Sequence, residues 1–497
     1  MMTPEEKAKF MGMLGLALCM LAAAAGWMFM RFGQAWSVAD LPDSGGIERI
    51  VPAYIVAEIA MIPIGAKLCD HFGIRRVLIF APTLFVIGSM LSIISLNVEM
   101  LVVFRFIQGI GAGLFMGLAF SAVGKYYEPL DRPLIHEIMT GAFAIGSIFG
   151  SSFGYFLTEN INWRAGFVVL SVMMGLGLVM AWKKLPDDDC RIDSKVDWVG
   201  MVLAALLFGS ASLYTQMVDV DFKLLTAPSL ILAAAIIVFL ILVMHHARRS
   251  ASPVIPVHIT SFEKKIILLM FMFSLCGLGL VQYFFKLYLT YYDFDIYKAS
   301  FMVFILVIGA AGPSTVGGHK VCHTGVRPWV IAGCILVTVS LILSHFLADQ
   351  GELQFAISVF LFGAGLGCIV TELLCALQNI TDKRNMGQHT GNLMAVRMVG
   401  ILVGNAIVGS YIGEFINTNR TPTVIDLDTV DNLIKELGDT IANNIQQVAQ
   451  SLDNGFLTVM LAMAVATAIL AIVGYTMKKD DLEAISETAQ ADDTEKE

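Results

Sequence analysis

The chain has 497 residues, 57% of them hydrophobic and 15% charged, with a net charge of −9. Soluble domains carry about 25% charged residues, and the deficit here coincides with uncharged apolar runs of the roughly 20 residues that cross a bilayer. A soluble enzyme, a nucleic-acid binder and a disordered scaffold are thereby excluded, and the acidic balance, lying mostly in tails and loops, describes no substrate.

In chain order the apolar runs predict fourteen transmembrane helices, over 11–32, 49–66, 77–98, 100–124, 138–158, 164–182, 198–218, 224–245, 265–290, 299–318, 328–347, 353–379, 388–413 and 454–477. Turn and charge signals such as Pro186-Asp187-Asp188-Asp189 and Ala251-Ser252-Pro253 separate them. The short alternating segments of a barrel do not occur. The first run has no small-residue cleavage site and ends in Arg31-Phe32-Gly33, unlike a removed signal peptide. The fold class is an all-α membrane protein. With both termini placed in the cytoplasm, 22 of the 32 Lys and Arg fall on that side, 6 fall outside and 4 lie within spans. That bias orients the chain, with both ends cytoplasmic in a plasma or bacterial inner membrane. The eight Cys fall within spans or on the inner side, so no outer disulfide is expected. Asn379 (inside) and Asn419 (outside) head N-x-T triplets, and only the second could be glycosylated, in a eukaryote.

An internal repeat organises the spans. Gly65-Ala66-Lys67-Leu68-Cys69-Asp70-His71-Phe72-Gly73-Ile74-Arg75 follows span 2, and Gly318-His319-Lys320-Val321-Cys322-His323-Thr324-Gly325-Val326-Arg327 follows span 10. One deletion aligns them at an offset near 253. Gly109, Gly111 and Gly113 of span 4 map onto Gly363, Gly365 and Gly367 of span 12 at 254, as do Gly146 and Gly150 of span 5 onto Gly400 and Gly404 of span 13. The expected organisation is a cytoplasmic N-terminus (1–10), a six-helix bundle (11–184), a linker with two extra spans (185–260), a homologous six-helix bundle (261–477) and a cytoplasmic tail (478–497). Two homologous bundles with two inserted central helices is an architecture of secondary transporters, in which one half rocks against the other about a midplane site.

Several stretches resemble the major facilitator superfamily. Gly65 to Arg76 is similar to its cytoplasmic loop signature, a Gly, then Asp and Gly, then a basic pair. Arg105, Gln108, Gly109 and Gly111 resemble its span 4 signature. Trp163-Arg164, Asp197-Trp198-x-Gly200 and Arg397-x-x-Gly400-x-x-x-Gly404 resemble the fourteen-spanning drug:proton antiporter branch. The resemblance covers nearly the whole chain and implies the superfamily fold and small-solute transport coupled to a proton gradient. Three departures stand out. Gly26 occupies the place of the branch's usual span 1 Asp, and Gly150-Ser151-Ser152-Phe153-Gly154-Tyr155 replaces the Gly-Pro and Gly-Gly of its span 5 antiporter signature. The second inner loop has no acid at the place equivalent to Asp70. The usual motor residues therefore do not carry over, and an uptake symporter or facilitator of an organic anion stands beside export.

An ionisable group at a helix centre costs about 2.5–3.5 kcal/mol on insertion scales, so each needs a reason. Glu58 lies about 12 Å deep at 1.5 Å per residue, near the midplane, and Glu372 lies in span 12 nearer the cytoplasm. Both are candidate proton-coupling acids, with permanent pairing to Arg105 or Arg397 as the alternative. Arg31, Arg105, Arg397 and Lys286 are the candidate substrate-binding cations, and Lys286, near the outer end, could equally snorkel. Four cations against two deep acids tilt the solute toward an organic anion or zwitterion.

Gly65, Asp70, Gly73, Arg75 and Arg76 form the expected gating loop, in which Asp70 can cap a helix N-terminus or bind an arginine. Gly109, Gly111, Gly141, Gly146, Gly150, Gly154, Gly400 and Gly404 suit close helix packing. Residues 414–453 form the one sizeable outer segment, with an amphipathic pattern from Leu433 to Leu452 that would pack on the outer mouth or, as a lesser reading, meet an envelope partner. No metal site is read. His136-Glu137 lacks the second His of a zinc-protease helix, and His319, Cys322 and His323 sit on a basic loop. No phosphate loop follows a strand, so no cofactor is expected and a proton gradient is the energy source. The expected partners are a small-molecule solute and the lipid bilayer, with the chain a monomer. A membrane receptor or intramembrane enzyme would need a sensor domain or a catalytic cluster, and neither is read.

Overall fold

The computed structural model describes residues 4–41, 46–186, 192, 195–217, 226–256, 259–260, 262–275, 296–347, 352–418, 465–472 and 474–475. Among these, all regular structure is helical. The helices are α1 (Pro4–Asp40), α2 (Ile50–Phe72), α3 (Ile74–Ile93), α4 (Val98–Tyr126), α5 (Arg132–Asn160), α6 (Trp163–Lys184), α7 (Trp198–Met217), α8 (Ala227–Ala247), α9 (262–275), α10 (Ile296–Thr324), α11 (Val326–Leu347), α12 (Glu352–Asn379), α13 (Met386–Thr418) and a short α14 (465–472). Ten helices among the described residues are long and apolar enough to span a bilayer. Lys286 and most of the 414–453 segment lie outside the described residues.

Helix ends follow local chemistry more closely than hydropathy does. Asn97 accepts a hydrogen bond from the Met100 N–H at 2.8 Å, and Asn162 one from Arg164 at 2.8 Å, which starts α4 and α6. Span 3 was expected to reach 98, but α3 ends at Ile93 because Asn97 already belongs to the next cap. Span 5, expected from 138, begins at Arg132 with Pro133 in its first turn, where a missing N–H costs nothing. Six residues before the apolar run are therefore helical, and they include Glu137. Gly73 (φ 81°) joins α2 to α3, and Gly325 (φ 80°) joins α10 to α11, each in a conformation only glycine adopts without strain.

The repeated glycines make repeated contacts. A Cβ at Gly109 would fall on the Tyr54 carbonyl of α2, and one at Gly363 on the Leu306 carbonyl of α10. Gly111 abuts Phe85 of α3, and Gly365 abuts Val337 of α11. Gly146 and Gly150 meet the Leu21 and Ala25 carbonyls of α1, while Gly400 and Gly404 meet the Phe271 and Leu275 carbonyls of α9. Gly154 packs on the Phe29 ring, and a Cβ at Gly141 would meet nothing within 4 Å. Bare backbone lets helices approach closely where no hydrophobic effect drives them together.

α1 packs on α5 and α6, α3 on α4 and α6, and α2 on α4, α7 and α13, while α10 packs on α12 and α5. α8 packs on α7 and is the peripheral helix. Only 11% of its apolar window is buried, against 78% for α2. A seam therefore runs between α2, α4 and α5 on one side and α10, α12 and α13 on the other.

Candidate functional site

At the end of the bundle that carries Lys67, Arg75, Arg76, Lys125 and Arg132, here the basic end, the seam is laced with polar contacts. Asp70, in the last turn of α2, is buried, and its two carboxylate oxygens accept the backbone N–H groups of Gly387 (2.9 Å) and Gln388 (2.7 Å). Those donors belong to the first turn of α13, so Asp70 caps a helix across the seam, at its positive end. Lys125 of α4 stands 3.4 Å from the same carboxylate, and Lys67 donates to the Gln388 side chain at 3.0 Å. Gly387 is packed so tightly on the Ala66 carbonyl that a side chain there would push the cap away.

A second set of contacts joins α5 to α10 and α12. Arg132 donates to the Asn379 side chain (2.8 Å) and to the Gly124 carbonyl (3.0 Å). His136 Nε2 and the Gln378 Oε1 stand 2.8 Å apart. One residue on, Glu137 Oε1 accepts from Thr371 (2.7 Å) and from Ser314, and Ser314 and Thr371 are themselves 2.9 Å apart. Glu372, fully buried beside Thr371, has neither carboxylate oxygen hydrogen-bonded. A Cβ at Gly317 would strike its Oε1, so this carboxylate points at α10 one turn from Ser314. Glu137 lies within electrostatic reach of both Glu372 and Arg397.

The residues singled out from sequence fall in three places. Asp70 joins the seam, with Gly65 packed on the Leu114 backbone and Gly73 at the turn. Arg75 donates to the Trp182 carbonyl at 3.1 Å and lies over that indole, and Arg76 is exposed beside it. Glu372 and Arg397 flank the α5–α12 contact. Glu58 and Arg105 sit elsewhere, inside the first six helices. Arg105 is fully buried. It donates to Gln108 (2.6 Å) and the Gly26 carbonyl (2.9 Å) and lies 4.3 Å over the Tyr54 ring, while Gln108 donates to Ser89. Glu58 is buried one turn from Tyr54, and its Oε1 has no hydrogen-bond partner. It feels the Arg105 charge without a bond to it. Arg31 lies on α1, and its side chain is outside those described.

Sequence reasoning assigns no role to Arg132, Ser314, Gln378 and Gln388, and reads His136-Glu137 only as an incomplete zinc motif. The available signals were polar side chains bunched at the ends of spans 5 and 12, which read as ordinary interfacial residues until their partners are known.

The geometry is that of two polar faces that meet through side-chain contacts and one helix cap. Residues 10–405 match the family model of the Major Facilitator Superfamily. Multidrug resistance protein 3 of Bacillus subtilis is 24% identical over 416 residues, covering 82% of this chain and 80% of that protein. Drug efflux pump JefA of Mycobacterium tuberculosis is 22% identical over 389 residues, covering 77% and 76%. Among solved structures, the human organic anion transporter MFSD10 superposes with a TM-score of 0.63 at 12% identity, over 95% of this chain and all of that one. The proton:xylose symporter XylE gives a TM-score of 0.60 at 14% identity, over 96% of this chain and 98% of its own. The chain belongs to the Major Facilitator Superfamily, and it is an integral membrane transporter rather than an enzyme.

Proposed function

We propose that this transporter exports small drug-like or amphipathic solutes, organic anions and zwitterions among them, in exchange for protons. Transport proceeds by alternating access between the bundles of residues 11–184 and 261–477 in a fourteen-span monomer. The basic end faces the cytoplasm of a plasma or bacterial inner membrane, following the distribution of Lys and Arg. Glu58 and Glu372 are the proton-coupling acids. Arg31, Arg397 and Lys286 meet the solute, and Arg105, through its ties to α1, holds the frame around them.

One observation carries the reading: the seam at the basic end is closed by hydrogen bonds, Asp70 onto α13 and Glu137 onto α10 and α12. Contacts of this kind can be exchanged for water at small net cost, about 0.5–1.5 kcal/mol each, so a closed and an open state can differ by only a few kcal/mol. The names of the bacterial relatives, a multidrug resistance protein and a drug efflux pump, support export. The test is accumulation of a labelled amphipathic anion in inside-out and right-side-out vesicles under an imposed pH difference. Export requires accumulation in inside-out vesicles alone, collapsed by a protonophore. Accumulation in right-side-out vesicles instead would make it an uptake symporter, and equilibration without accumulation a facilitator.

A further inference from the structure

We infer that Glu137 and Glu372, with the hydroxyls of Ser314 and Thr371, form a proton-binding site that spans the seam, and that the proton bound there seals the basic end. The inference deepens the proton-coupled reading above and rests on it for its role in transport. It brings in an acid, Glu137, that neither the repeat nor the signature motifs single out.

The first ground is a hydrogen count. Ser314 Oγ, Thr371 Oγ1 and Glu137 Oε1 stand in mutual hydrogen-bond contact, three contacts among three oxygens. The two hydroxyls bring one hydrogen each, and an ionised carboxylate brings none. A proton on Glu137 supplies the third hydrogen and lets each oxygen donate once around the ring. The second ground is Glu372. It is 0% exposed, neither of its oxygens has a hydrogen-bond partner, and it points at α10 beside Ser314. A buried polar group without a partner is costly, and a buried unpartnered charge is far costlier. The third ground is charge balance. The groups facing the site are Glu137 and His136 on α5, Cys368 and Glu372 on α12 and Arg397 on α13; α10 contributes Ser314 and Gly317, and α11 contributes Trp329 against Gly317. His136 is engaged with Gln378. Arg397 lies within reach of Glu137, and Glu137 within reach of Glu372, so a single proton carried by the two carboxylates balances the set.

The site lies where α5 meets α10 and α12, so it exists only while the seam is shut. Parting those helices admits water to both carboxylates, removes the ring of hydroxyls and releases the proton to the basic side. Reclosure takes a proton up. No bond other than O–H is made or broken.

The test reads the seam rather than flux. Spin labels at Asp131→Cys and Arg384→Cys, both exposed and on opposite sides of the seam, are placed in full-length protein lacking its eight native Cys, in nanodiscs. In the parent, raising the pH from about 6 to about 8 should convert the short label distance to a long one, with at least about a tenfold change in the population ratio. Glu137→Gln with Glu372→Gln keeps the hydrogen-bonding shape without the charge, and should hold the short distance at both pH values, which also shows that the variant is folded. A double variant that follows pH like the parent, or that stays open throughout, overturns the site. A response abolished equally by His136→Gln assigns the switch to the histidine and overturns it too, as does a parent that closes with added sodium and ignores pH. A parent that opens with pH but never accumulates solute leaves the site standing and ends the gradient-coupled reading. Accumulation on a pH gradient with a pH-insensitive seam does the reverse.

Discussion

At the scale of single residues, the cap formed by Asp70 is the clearest case of a charge on one side of the seam meeting a helix end on the other. Its carboxylate receives two backbone donors of α13 across the seam and faces Lys125 of α4 on its own side. Asp70→Asn keeps the shape but removes the charge, at a cost to the closed state of about 1–3 kcal/mol. The expected outcome is a roughly ten- to hundredfold shift toward the open basic end and slower turnover in proteoliposomes, with solute affinity within a few-fold. Normal turnover would dismiss the latch. Arg105 predicts something different, since its guanidinium ties α1 to α4 while stacked on α2. Arg105→Ala leaves the Gly26 carbonyl and Gln108 buried without their donor, and the purified protein should lose about 3 kcal/mol against thermal or denaturant unfolding. Arg105→Lys recovers only part, because an ammonium cannot serve two acceptors in one plane. A variant of parental stability that has lost only solute binding would show Arg105 to be a ligand instead. Asp70 was legible in the sequence because an acid between paired glycines at a helix end has few other uses. Glu137 was not. It sits five residues into α5, and its partners Ser314 and Thr371 are 177 and 234 residues away. The repeat gives no help either, since the equivalent of Glu137 at the 254 offset is Gly391.

At the scale of elements, most helices could be read because long apolar runs carry their own boundaries to within a few residues. α12 begins one residue from its expected start. The misses occur where a cap or proline overrules hydropathy, at Asn97 and at Pro133, and where helix continues past the apolar core, as α1 does to Asp40. The glycine contacts yield a paired prediction. Gly109→Ala and Gly363→Ala both force a methyl onto a carbonyl of the neighbouring helix, so each should destabilise by about 1–3 kcal/mol. Gly141→Ala, with open space around it, should be neutral or gain about 0.5 kcal/mol from helix propensity. Equal losses at all three positions in thermal melts would show that the close approaches are not what the glycines provide. α7 and α8 are joined by a different device, the 2.7 Å contact of His246 Nε2 with Asp197. Burial alone pushes the Asp197 carboxyl upward, but hydrogen bonds from His246, the Gly200 N–H and Ser250 outweigh it and hold the group below the usual carboxylate value. Its folded form is therefore favoured above the unfolded value near 3.9, and the benefit fades as pH falls through the lower folded value. Asp197→Asn should lower the melting midpoint by about 2 °C at neutral pH, and the gap to the parent should narrow at the acid end of the range. A gap that widens on acidification would contradict the pairing.

At the scale of the whole molecule, coupling requires that one acid be able to hold a proton on one side of the cycle and lose it on the other. Glu58 fits that requirement within the first six helices. It is buried near the middle of α2, has an oxygen without a hydrogen-bond partner, and feels Arg105 without a bond to it. The repeat leaves it single, because the position 254 residues on is Gly312, around which a Cβ would meet nothing within 4 Å. A structural ion would be duplicated as readily as the packing glycines are, whereas a protonation site in one half of the chain needs no twin at the same place in the other. Pro63 adds a local feature, since it cannot donate to the carbonyl four residues earlier, at Ile59, the residue after Glu58, and so leaves that carbonyl without its helical donor. Glu58→Gln is fixed in the protonated shape and should keep solute binding and solute–solute exchange while losing dependence on an imposed pH difference. Glu372→Gln, altering the seam instead, should hold the basic end shut and slow exchange as well as net flux. The two are separated by measuring exchange and gradient-driven accumulation in the same proteoliposomes. Accumulation that survives in Glu58→Gln removes Glu58 as the coupling acid. Survival in both variants would leave the coupling proton on another group, whereas solute exchange without any gradient-driven accumulation in the parent would mean that the seam opens and closes on solute binding alone.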